Sequence, residues 1–106
     1  MKALILIPAI LIAWAAQSPA KAEDQRVSQK GRKFNVKQIT VKSGDTIHFS
    51  NDDEFIHQIY VESQNFKFDS AESEPGHVID LKMTQPGDYE VRCHIHPKML
   101  LNVHVD

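Results

Sequence analysis

The sequence predicts an all-β domain built from small antiparallel strands. Turn signals recur at Lys42-Ser43-Gly44-Asp45, Asn51-Asp52-Asp53, Pro75-Gly76 and Gln85-Pro86-Gly87-Asp88. Between them lie short runs of β-branched and aromatic residues that alternate with polar ones at a period of two. Strands with one buried face produce that combination.

The chain opens with Met1-Lys2, an apolar stretch over residues 3–16, and Pro19-Ala20-Lys21-Ala22. A short basic start, an apolar middle and a small-x-small exit describe a secretory signal peptide, with cleavage expected after Ala22. Fourteen apolar residues fall short of the roughly 18 to 20 that span a bilayer, so a permanent anchor is the weaker reading. The domains are therefore a signal peptide, residues 1–22, and one domain, residues 23–106.

Within that domain Phe34 and Val36 share one parity and Ile39 and Val41 another, and the break predicts a bulge or bend near Lys37-Gln38. Ile47 and Phe49 point inward on the next strand, then Ile59 and Val61. Residues 63–74 are polar without a clear period and read as a surface excursion with a short helical or 3₁₀ turn. Ile79, Leu81 and Met83 form the following inward set, then Tyr89 and Val91, then Leu101, Val103 and Val105. The turn at Pro86-Gly87-Asp88 places Met83 at the far end from Cys93, which makes it a core residue.

Removing residues 1–22 leaves 84 residues with ten basic and fourteen acidic side chains, a net charge of −4 against −2 for the whole chain. That balance argues against a nucleic-acid partner, which calls for a basic stripe. One small domain of this size has a marginal core, to which a bound metal would add stability. The single cysteine, Cys93, has no internal disulfide partner and needs another fate in an oxidising compartment.

Metal ligation supplies that fate. The run Cys93-His94-Ile95-His96-Pro97-Lys98-Met99 puts a thiolate, an imidazole and a thioether on one short loop between two strands. A soft thiolate, imidazoles and a weak axial thioether suit a mononuclear copper electron-transfer centre, whereas zinc, calcium and magnesium do not favour methionine. The trigonal set requires a second imidazole, and His57, which follows a polar loop and has the inward parity of Ile59, is the candidate. Cys93 has the inward parity of Val91.

The other histidines sort differently. His48 and His104 have outward parity and read as surface residues, and His94 projects away from its neighbour Cys93. His77 begins a strand near the ligand end and is a candidate for an auxiliary or supporting role.

Residues 41–51, His57, Pro86-Gly87-Asp88-Tyr89 and the Cys93-x-x-His96-Pro97-x-Met99 loop together resemble the cupredoxins, in particular the plastocyanin, pseudoazurin and amicyanin group. The ligand loop is most similar to that of amicyanin. The resemblance implies a Greek-key β-sandwich of about seven or eight strands with one copper just below one end. It implies His57, Cys93 and His96 as equatorial ligands and Met99 as the axial one. It further implies that His96 is the electron port, in an apolar patch to which Phe55, Ile56, Pro97 and Leu100 contribute. Many members of the group have Asn after the first histidine ligand, and Gln58 stands there in this chain. Asn51 is then the candidate to share the task of bracing the ligand loop.

The leading functional expectation is a secreted or periplasmic blue copper protein that shuttles single electrons and is not an enzyme. Its donor and acceptor would be redox proteins of the cytochrome c or dehydrogenase type, and it would act as a monomer. A copper-delivery protein on the same fold is the alternative, motivated by His77, His94 and His104. Copper oxidases and nitrite reductases have repeated domains and further copper centres, for which 84 residues leave no room.

Overall fold

The computed structural model describes residues 24–106; the expected signal peptide lies outside the described residues. Eight strands follow in order: β1 Asp24–Gln29, β2 Gln38–Val41, β3 Thr46–Asn51, β4 Ile59–Glu62, β5 Lys67–Asp69, β6 Val78–Lys82, β7 Gly87–Cys93 and β8 Leu100–Val105. They form a three-stranded sheet, β1-β3-β6, and a five-stranded sheet, β2-β8-β7-β4-β5. β1 runs parallel to β3 and β2 parallel to β8, while the other pairings are antiparallel.

Period-two alternation decides which side chains lie between the sheets. Val27, Ile47, Phe49 and Leu81 come from the smaller sheet; Val41, Ile59, Val61, Tyr89, Val91, Leu101, Val103 and Val105 come from the larger. Each is at most 4 % exposed, so removal of apolar surface from water is the main force holding the layers together. Phe34, before the second strand, meets Phe49 edge to face at 5.8 Å. Met83 is fully buried and its backbone bonds to the turn before β3, through Gly44 and Asp45, at the end of the domain remote from Cys93. The backbone bends at Lys37 just before β2, where the broken alternation predicts it.

Two local features differ from the sequence expectation. Residues 63–74 contain no helical or 3₁₀ turn; they hold the edge strand β5, which pairs with β4. The hairpin is closed by Ser63, whose hydroxyl donates to the Phe66 carbonyl and accepts from the Phe66 N–H. Three residues are too few to show alternation. The strand β1 has no counterpart in the sequence reading, because its second buried position is polar: Val27 and Gln29 are both fully buried.

Candidate metal centre

The loop between β7 and β8 is closed on both sides by the ladder that pairs Arg92 with Leu100. Cys93, the last residue of β7, lies opposite Ile59 of β4 and is 1 % exposed. A turn in which the Met99 N–H donates to the His96 carbonyl folds the loop back, and Met99 is 2 % exposed. His57 comes from the connection between β3 and β4. Reciprocal backbone hydrogen bonds with Ser73, of 3.0 and 2.7 Å, fix its position, and its ring is fully buried.

These elements bring three donor atoms together. Cys93 Sγ lies 3.7 Å from His57 Nδ1 and 3.9 Å from His96 Nδ1, and the two nitrogens are 3.2 Å apart. For bonds of about 2.0 Å to nitrogen and about 2.3 Å to sulfur, a trigonal ion needs S to N separations of about 3.7 Å and an N to N separation of about 3.5 Å. The triangle matches that requirement within a few tenths of an ångström. His57, Cys93 and His96 are the group of this kind among the described residues. With Met99 beside them they are arranged as a type 1 copper site. A soft thiolate with two imidazoles and a thioether is the donor chemistry copper takes in such sites.

Around the donors is a set of hydrogen bonds the sequence only partly revealed. Asn51, fully buried at the end of β3, donates from its amide to the carbonyls of Phe55 and Ser73 and accepts from the Asp53 N–H. It thereby ties the loop before His57 to the connection between β5 and β6 at Ser73. Gln58 reaches away from the donors, donating to the Ser70 carbonyl at 3.0 Å, while its own carbonyl accepts from the His94 N–H. His77 is exposed at the start of β6, and its carbonyl accepts from the Asn51 N–H.

Asp53 was not among the sequence candidates. Its carboxylate is 6 % exposed, and Oδ2 lies 3.1 Å from His57 Nε2. The same oxygen accepts from the Arg32 N–H at 2.8 Å, and Oδ1 accepts from the Glu54 N–H at 2.9 Å. A carboxylate on the far nitrogen of a ligating imidazole fixes its tautomer and orientation. Here it leaves Nδ1 as the ring nitrogen facing Cys93. Burial by itself would raise the Asp53 pKa, but the N–H groups of Arg32 and Glu54 and the His57 ring outweigh it and hold the carboxyl below its ordinary value. The i to i+4 spacing from Asp53 to His57 was the available signal, hidden in a loop with three consecutive acidic residues.

His96 is half-buried, and its pKa is lowered, first by burial and then by the electrostatic influence of the neighbouring His57 ring and Arg32 guanidinium. Phe55 meets its ring edge to face at 6.0 Å. Phe55, Ile56 and Ile95 are exposed to 40, 38 and 42 %, so apolar surface surrounds the point where His96 reaches solvent. Pro97 is exposed and lines a groove there, whereas Leu100 is half-buried in the ladder opposite Arg92.

The profile of the cupredoxin-like domain matches residues 3–103. The chain belongs to the cupredoxin family. Among solved structures, this cupredoxin is similar to amicyanin from Paracoccus versutus, with a TM-score of 0.72 and 22 % identity over 86 % of this chain and 87 % of that one. The purple cupredoxin of Nitrosopumilus maritimus matches at a TM-score of 0.69 and 21 % identity, covering 78 % of this chain and all of that one. The copper-containing nitrite reductase of Thermus scotoductus SA-01 matches at a TM-score of 0.71 and 26 % identity over 78 % of this chain, which spans only 22 % of the length of that protein. No curated protein matches the chain.

Proposed function

We propose that this cupredoxin is a one-electron carrier, exported to the periplasm or cell exterior by the Met1 to Ala22 segment. His57, Cys93 and His96 are the equatorial donors in this reading and Met99 the axial one. Copper held there would supply a Cu(II)/Cu(I) couple with a strong thiolate bond. The observation that supports the reading is the buried triangle of Cys93 Sγ and two histidine Nδ1 atoms.

The rest follows from how the protein holds those atoms. Cys93 and His57 are each tied to ladder positions, and His57 is clamped by Asp53. Donors that cannot move much keep the reorganisation between oxidation states small. Burial of Cys93, His57 and Met99 excludes water, and four coordinating side chains leave no open position for a substrate. That arrangement suits a carrier and not an enzyme, and half-buried His96 gives the electron a route to the surface. A redox protein as donor and another as acceptor complete the cycle.

The test is the visible and EPR spectrum after stoichiometric Cu(II) loading. An intense thiolate-to-copper band, bleached reversibly by ascorbate and absent in Cys93→Ser, is expected. A pale tetragonal spectrum, or several coppers per chain, would favour copper delivery. His94 and His104 engage surface aspartates, and neither they nor His77 join a donor cluster of three among the described residues.

A further inference from the structure

We infer that the face around His96 docks a redox partner whose exposed centre is rimmed by carboxylates, an inference that rests on the carrier reading and names its partner class. The whole chain is acidic, with a net charge of −2, yet this face is basic. The groove beside His96 is lined by Arg32, Lys33 and Lys98 together with Ile95 and Pro97. Lys30, also exposed, stands at the base of the same turn. The exposed carboxylates on the neighbouring loop are Asp52, which accepts from the Ser28 and Ser50 hydroxyls, and Glu54, so the four basic side chains outnumber them on this face.

The basic residues are held in place by the fold. Lys30 and Lys33 exchange backbone hydrogen bonds of 3.0 and 3.2 Å, and Gly31 and Arg32 between them have φ of 63° and 56°. Two successive left-handed residues closed in this way form a tight type I′ hairpin turn. Arginine rarely adopts that conformation. Two contacts hold it there: the Arg32 N–H on Asp53 Oδ2, and the guanidinium 4.2 Å above the Phe55 ring. The carboxylate that orients His57 therefore also anchors the basic turn beside the port.

The apolar centre of Phe55, Ile56 and Ile95 supplies the desolvated contact, and the lysines supply steering within a Debye length of about 8 Å at physiological salt. Charge complementarity fixes the occupant as a carboxylate-rimmed partner, which differs from what the net charge of the chain would select.

The experiment uses copper-loaded protein and two forms of one probe, native lysine-rimmed cytochrome c and the same cytochrome succinylated on its lysines. The bimolecular rate of one-electron exchange between copper and haem, in whichever direction the potentials favour, is measured against ionic strength. With succinylated cytochrome c the rate should fall about tenfold or more from low to high salt; with native cytochrome c it should rise. Lys33→Glu with Lys98→Glu should reverse both slopes, while Lys67→Glu with Lys82→Glu, an equal change of net charge elsewhere, should leave their signs alone. Slopes that follow net charge, or flat slopes, overturn the docking inference while leaving an intact blue, reversibly reducible carrier. Loss of that spectrum in the parent protein would instead overturn the carrier reading, and the docking surface with it.

Discussion

Replacing Asp53 by asparagine removes one acceptor from a junction of three donors. The wild-type carboxylate accepts from the Arg32 N–H, the Glu54 N–H and His57 Nε2, with distances of 2.8, 2.9 and 3.1 Å, while its side chain is 6 % exposed. Asparagine keeps one oxygen, and whichever way its amide is turned, its NH₂ confronts an N–H that previously had a partner. A hydrogen bond to a charged group contributes roughly 1.5 to 3 kcal/mol. The metal-free variant is therefore expected to be less stable by about that amount, and Asp53→Ala by roughly twice as much. Copper binding should weaken about 10 to 100-fold, the usual cost of removing a partner that orients a ligating histidine. Urea unfolding of the metal-free protein and competition against a Cu(I) chelator measure the two effects separately. A variant within about 0.5 kcal/mol of wild type that also binds copper within threefold would refute the argument that Asp53 holds His57 in place; 0.5 kcal/mol is the ordinary scatter of surface substitutions.

Three further outcomes are expected. Met83→Ala should cost about 2 to 5 kcal/mol in chemical unfolding, because Met83 is fully buried; its copper spectrum should be unchanged, since the residue lies at the other end of the domain. His48 bridges Asp80 and Asp24, and His104 bridges Asp88 and Asp106, and these aspartates raise both histidine pKa values, the first-named of each pair most. A raised folded pKa stabilises fully below the unfolded value of about 6.5 and is lost as pH rises through the folded value; thermal melts of His48→Gln with His104→Gln should therefore show their largest deficit at acid pH, closing toward alkaline pH, and a deficit that grows with pH would contradict the pairing. Ile95→Ser should slow electron exchange with succinylated cytochrome c without altering its salt slope, because it removes exposed apolar surface and leaves the basic side chains; an unchanged rate would count against contact at that side chain.

The strands that carry the donors were legible because their burial is one-sided. Ile47 with Phe49, Ile59 with Val61, Tyr89 with Val91 and the three residues of β8 alternate without interruption, and each is buried. The same parity put His57 and Cys93 inside, where both are found. β1 was not legible: it buries Gln29 beside Val27, and a polar residue at an inward position erases the period that identifies a strand. β5 escaped for lack of length. Its three residues gain their place from pairing with β4 and from the Ser63 turn, and neither leaves a periodic trace. The donor set could be read from residue types, whereas the role of Asp53 depends on a loop conformation that Asn51 imposes by bonding to the Asp53 N–H and the Phe55 carbonyl.

That loop conformation joins the two halves of the site's design. The β7 to β8 loop supplies Cys93, His96 and Met99 from one sheet, closely spaced and fixed by a single ladder. His57 arrives separately, and its ring could swing about its own side-chain torsions unless its far nitrogen were held. Asp53 holds it, and Asp53 is itself held by the Arg32 N–H from the turn that follows β1. The first strand, paired in register with β3 from Asp24 opposite Thr46 to Gln29 opposite Asn51, therefore does more than add an edge to the smaller sheet. It delivers the backbone donor that fixes the carboxylate, and the basic side chains of the same turn then stand beside His96. Loosening that turn should be felt twice, in the copper site through Asp53 and in partner choice through the displaced lysines. Deleting Gly31 and Arg32 should weaken copper binding and flatten the salt slope together, whereas a change in only one of them would show that orientation of His57 and docking are independent.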